Sequence, residues 1–245
     1  CVCICICTCL SIPFKRRAVF TFKKLMFKKM SDLLNRGDGL SDDDWDVSSK
    51  TERTYDSKYA EKIDESLQRF ENININSNVM SITVKPGTEY HIYSTYNKPK
   101  YMPEFSVENG TLKVRQNFPK HNNNNVKCTV EITVPKNTVL SDIDIQNNVG
   151  EVTVKDFEAD EIQIETNVGE IRVSDMDFNN LKLENNVGEI SVKTLEKTDK
   201  YNISAKNDIG EISVGGKSYK HKFEQKNGSK KSIKAVSNVG EVSIH

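Results

Sequence analysis

One phrase recurs through the second half of the chain and restricts what it can fold into. Gly150, Gly169, Gly188, Gly210 and Gly240 stand in the near-copies NVGEVTV, NVGEIRV, NVGEISV, DIGEISV and NVGEVSI, at intervals of 19, 19, 22 and 30 residues. Upstream of each glycine two aliphatic positions alternate with polar ones: Ile143 and Ile145, Ile162 and Ile164, Leu181 and Leu183, Ile203 and Ala205, Ile233 and Ala235. Two more follow it, as in Ile171-Arg172-Val173. Each unit is therefore a period-2 strand, a tight turn and a second period-2 strand. A third apolar position, at Phe157, Met176 and Leu195, recurs three residues past the second strand of the first three units. A unit of this size cannot enclose a core by itself. Repetition near 20 residues predicts an all-β fold: a single-stack β-solenoid (a β-helix) whose coils lie about 4.8 Å apart and merge their aliphatic columns into one interior.

The phrase itself reads first as a structural device. Glycine permits a turn with positive φ, and the preceding Asn or Asp can bond to nearby backbone and to its counterpart one coil away. The turn residues are Asn148, Gly150, Asn167, Gly169, Asn186, Gly188, Asp208, Gly210, Asn238 and Gly240. Glu151, Glu170, Glu189, Glu211 and Glu241 should then form a column of like charges. At coil spacing each neighbouring pair repels by about 1 kcal/mol in water, which a solvated face tolerates and a basic partner relieves. The paired GGxGxD turns of calcium-binding repeats are absent, and no metal or cofactor is implied.

The segment ININSNVMSITV (Ile73–Val84) fits the same template with Met80 in place of glycine, and reads as a first coil. Between it and Gly150 lies an excursion of antiparallel strands around the hairpin signal Asn109-Gly110. Within it Cys128 alternates with Val130, Ile132 and Val134, as a small core residue does. Before the first coil, Tyr55, Tyr59, Ile63, Leu67 and Phe70 fall at helical spacing, so an amphipathic capping helix is expected. The organisation is thus a leader over residues 1–50, the helix over 51–70, the first coil with inserted strands over 71–135, and solenoid repeats over 136–245. Late in the chain, Lys217, Lys220, Lys222, Lys226, Lys230 and Lys231 surround Glu224, in what reads as a protruding hairpin tipped by Asn227-Gly228. The last strand ends at Ile244-His245 without a visible cap, leaving an edge open to self-association.

The totals are balanced, 35 basic against 35 acidic residues, so no global field argues for nucleic acid. Five cysteines alternate in CVCICICTC at the start, and the genuine start is expected at Met26 or Met30. No apolar run reaches the length of a membrane span. The four histidines lack metal-ligand spacing, and no nucleophile or phosphate-loop motif occurs.

From Phe70 to His245 the sequence resembles a bacterial "putative adhesin" domain-of-unknown-function family with β-strand repeats. The resemblance rests on FENININSNVMSITVKPGTEY, FSVENGTLKV, VEITVPKNTVL and the NVGEI units. It implies a small right-angled β-solenoid, often attached to a membrane segment or found with envelope-stress proteins, and it carries over no catalytic residues. The expectation is a non-enzymatic binding surface at the bacterial cell envelope, formed by the five glutamates with Lys217, Lys220, Lys222, Lys230 and Lys231. Its partners would be protein or an anionic envelope polymer, with peripheral membrane contact open and nucleic acid not expected. An intracellular scaffold or stress-response partner is the alternative, and a polysaccharide-processing solenoid enzyme a remote third.

Overall fold

The structure is a computed structural model that describes residues 61–116 and 125–245. The leader, with Trp45 and the cysteine tract, lies outside the described residues. In chain order the described strands are β1 (Glu61–Ser66), β2 (Asn72–Val79), β3 (Ser81–Gly87), β4 (His91–Tyr96), β5 (Glu104–Glu108), β6 (Thr111–Arg115) and β7 (Cys128–Pro135). Next come β8 (Val139–Lys155), β9 (Glu158–Thr194), β10 (Asn202–Val214), β11 (Lys217–Tyr219), β12 (Lys222–Gln225) and β13 (Ser232–Ile244). All of these belong to one sheet, which has two ends and does not close on itself. The segments 71–135 and 136–245 share it, because β2 and β3 both pair with β8.

The long strands are windings. β8 pairs with the first half of β9 at an offset of 19 residues, from Val139↔Glu158 to Lys155↔Ser174. The ladder skips Ser141, opposite Asp160, and Asn148, opposite Asn167. Asp156 and Asp175 take positive φ just beyond its far end. These three breaks are the corners of each coil. Alternation puts the same aliphatic positions inside every time. Ile75, Ile145, Ile164, Leu183, Ala235 and Ala205 form one buried column, and Ile82, Val152, Ile171, Ile190, Val242 and Ile212 another. Each full burial of such a side chain is worth about 1.5–3 kcal/mol. Cys128 is buried on the inward face of β7 as expected, and burial pushes its thiol up to about 11.

Coil order departs from chain order at both ends. β13 lies between the second coil of β9 and β10, with Gly240 opposite both Gly188 and Gly210. At the other end β6 is parallel to β2 and β7 to β3, so the expected insert contributes a further coil outside the first one. The glycine row therefore runs Met80, Gly150, Gly169, Gly188, Gly240, Gly210. The C-terminal strand is not an open edge, because both its sides are paired. The outermost winding there is β10, and β11 and β12 cover it antiparallel. The supposed protruding hairpin is this cover. It bends at Lys220-His221, where the Asn207 N–H donates to the His221 carbonyl at 3.1 Å.

The capping helix is also corrected. Glu61–Ser66 is a strand antiparallel to β4, with Ile63 opposite Ser94, and residues 51–60 lie outside the described residues. The spacing of Ile63, Leu67 and Phe70 fits a helix, but the free edge of β4 offers a row of backbone groups that only an extended partner satisfies. Capping survives in another form: Phe70 enters the core against Tyr90, ring centroids 4.8 Å apart, and Ile63 and Leu67 pack on it. Leu195 is a further departure, 54% exposed where Phe157 and Met176 are buried. After Thr194 the chain leaves the winding, and Tyr201 takes the inward place beside Phe178, at 5.7 Å.

The repeated glycines are required twice over. Gly169 has φ +149°, and a Cβ there would lie 1.9 Å from the Gly150 carbonyl oxygen of the neighbouring coil. Gly240 would meet the Gly188 oxygen at 1.7 Å. Met80, in the first coil, is not among the residues with positive φ, and its side chain is buried in the core. Gly169→Ala combines a disfavoured φ with a backbone clash, and we expect a loss of about 3 kcal/mol in urea-induced unfolding. A variant as stable as the parent would contradict this corner geometry.

Candidate binding surface

Two rows of polar side chains meet at the glycine corner. The outer row is an amide ladder. Asn148 Nδ2 donates to Asn78 Oδ1 at 2.7 Å, Asn167 to Asn148 at 2.6 Å, Asn186 to Asn167 at 2.6 Å and Asn238 to Asn186 at 2.8 Å. Among the turn residues singled out from sequence, the four asparagines join this ladder, and Asp208 occupies the same place in the last coil.

The inner row was not foreseen. In spatial order it reads Ser77, Asn147, Thr166, Asn185, Ser237, Asn207, all buried. Short and long side chains alternate strictly. Each asparagine reaches across to the coil that carries the short residue: Asn147 Nδ2 donates to the Met80 carbonyl, Asn185 to Gly169 and Asn207 to Gly240, each at 2.9 Å. The short neighbour leaves the room this needs. Chain order would put Asn185 beside Asn207 and break the alternation. The signal was thus present in the residue before each turn asparagine, but only the spatial order makes it periodic.

The glutamates line up as expected, Glu151 opposite Glu170, and Glu241 opposite both Glu189 and Glu211. Arg172 bridges Glu151 and Glu170 across two coils and relieves their repulsion. The lysines do not join this column; they belong to the far end of the stack. Lys217, Lys220 and Lys230 are exposed there, and Lys222 pairs with Glu224 at 2.7 Å. Lys231 instead serves the fold. Its Nζ lies 2.6 Å from Asp177 and 3.4 Å from Glu196, and the Asp177 hydrogen bond, acting against partial burial, holds its pKa above the ordinary lysine value.

Beside the amide ladder runs an open groove of ≈ 340 Å³ across four coils. One wall is the column Asn76, Gln146, Glu165, Glu184, and the other is the ladder from Asn148 to Asn186. Inner-row Thr166 reaches it from below; this residue is 5% exposed, and its hydroxyl has no hydrogen-bond partner among the described residues. The charge on the wall is offset, since Lys182 Nζ stands 3.5 Å from Glu165 and 3.3 Å from Glu184. On the neighbouring outward column, partial burial and then the Glu165 charge raise the Asp144 carboxyl above the usual range, against a smaller opposing effect of Lys182. Burial, followed by Asp144 and Glu161, does the same to Asp142.

These raised carboxyls bind protons more tightly in the folded chain than in the unfolded one. Their charged forms therefore lower stability at neutral pH, and the penalty fades as pH falls through the folded pKa towards the unfolded one. Asp144→Asn should accordingly raise the urea midpoint at pH 7, with the gain shrinking towards pH 4. A variant less stable at pH 7, or a gain that grows on acidification, would contradict the assignment.

Comparison with known proteins places the fold. No curated protein matches the chain significantly. A solved structure described as a "putative cell adhesion protein" from Clostridium sporogenes ATCC 15579 is 20% identical with TM-score 0.56, over 76% of this chain and 98% of that one. A "putative adhesin" from Bacteroides fragilis NCTC 9343 matches at 13% identity and TM-score 0.38, over 77% of this chain and 98% of that one. At such identities the first likeness speaks for the fold alone, and the second is too distant to carry an argument. The family model described as Toastrack DUF4097 matches residues 70–245, from Phe70 at the first coil through the last strand. The chain belongs to the Toastrack DUF4097 family.

Proposed function

We propose that the chain is a non-enzymatic binding module of the bacterial cell envelope, adhesin-like in presenting one surface motif many times over. The observation that carries this reading is the register: outward asparagines and glutamates recur in file from coil to coil, about 4.8 Å apart, with Asp208 in the asparagine place of the last coil and no glutamate in the first. Weak contacts to a partner with a matching repeat then add as intramolecular events, so modest individual affinities suffice. The lysines over β11 and β12 favour a second contact, in which the end of the stack meets an anionic polymer or membrane surface, adding salt-sensitive attraction.

Protease treatment of intact cells tests the location. The module is expected to be cleaved while a cytoplasmic marker survives. Full protection, with the protein fractionating alongside cytosol, would remove the envelope from the reading and favour an intracellular scaffold.

A further inference from the structure

The groove beside the amide ladder has a chemistry of its own. Resting on the binding-module function, we propose that it takes an extended, uncharged, hydroxyl-rich chain: a linear neutral glycan.

Three observations point there. First, the lining is made of groups that exchange hydrogen bonds with hydroxyls. Gln146 and Asn76 supply amides on one wall, Glu165 and Glu184 supply acceptors, and the asparagine ladder forms the other wall. Second, the charge argues against a polyanion. Among the described residues no lysine or arginine lines the groove, and its two carboxylates are offset by Lys182 beside it. An anionic polymer would be repelled, and a cation would compete with an ammonium group already in place. Third, Thr166 lines the groove, and its hydroxyl lies covered just beneath with no hydrogen-bond partner among the described residues. An unsatisfied buried polar atom carries a desolvation penalty, and a rotation about χ1 that brings Thr166 Oγ1 to a bound hydroxyl would remove it.

Spacing selects an extended ligand. The wall repeats at the coil distance of about 4.8 Å, close to the length of one hexose in an extended chain, so successive sugars meet successive rows. Gln146, Glu165 and Glu184 stand on adjacent coils and would each face one unit. The groove thus reads length and polarity. With no aromatic side chain among the described residues of its lining, it would bind by hydrogen bonding rather than by ring stacking.

The test is calorimetric titration of the full chain with cellulose, chitin and maltose-type oligomers of two to six units. At least one series should bind, gaining affinity up to about four units and levelling off, because the groove spans four coils. Thr166→Val separates binding from folding. It removes a hydroxyl that has no partner, so the urea midpoint should hold or rise while affinity falls about fivefold to tenfold. Gln146→Ala, on an exposed position, should weaken binding similarly. Absence of binding in all three series at millimolar concentration would overturn the proposal, as would binding that both variants leave unchanged. Dextran sulfate is the control. Should it bind to the parent and to Thr166→Val alike while the neutral oligomers do not, the glycan inference falls and the binding-module reading stands.

Discussion

The carbonyl of one glycine corner faces the backbone of the next with no space for a side chain between them. A Cβ on Gly150, Gly169, Gly188, Gly240 or Gly210 would come within 2.1 Å of the neighbouring carbonyl oxygen. This contact sets coil register, since a one-residue slip would push a Val or Glu into that gap and turn every inward aliphatic outward. With the corners locked, three sets of rows are fixed: buried columns of Ile, Leu and Val, the inner row of alternating Asn with Ser or Thr, and the outer ladder of asparagines. The surface a partner would meet is a consequence of the same contact.

Much of this was legible from residues alone. The period gave the coils, the alternation gave the buried columns, and the Asn-x-Gly phrase gave both the positive-φ corner and the amide ladder. Coil order was not legible, because each parallel coil offers nearly the same edge to any other, and neighbours along the chain are only the simplest partners. Gly210 and Gly240 carry equivalent phrases, so pattern could not say which lies against Gly188. The inner row does carry that information, because Ser237 between Asn185 and Asn207 keeps short and long side chains alternating. At Ile63 and Leu67 the helical stripe competed with an unpaired β4 edge, and tertiary pairing overrode local spacing. For Lys231, sequence showed a basic cluster but not the carboxylates of Asp177 and Glu196, which lie far from it in the chain.

Tucking the first and last repeated coils one place inward has a physical use. A parallel stack ends in two rows of unpaired backbone groups, which invite other chains. Here β10 is covered by the short antiparallel strands β11 and β12, and the opposite end by β5 on β6 and by β4 and β1 beyond β7. With the ends of the stack occupied, its sides remain as the extended faces. The groove and the glutamate column both lie on those sides, where length along the stack becomes length of ligand recognised.

Coil order is the claim on which these rows, the groove and the covered ends depend, and a cysteine pair reads it directly. Lys182 and Lys234 occupy paired outward positions on adjacent windings, whereas Ser204 lies one winding further out, beyond Lys234. Adjacent windings are about 4.8 Å apart, within disulfide range, and alternate ones about 9.6 Å apart, beyond it. In a cysteine-free background, Lys182→Cys with Lys234→Cys should oxidise to a disulfide without loss of stability, and Lys182→Cys with Ser204→Cys should stay reduced. The reverse outcome would mean that the coils stack in chain order, and would contradict the account.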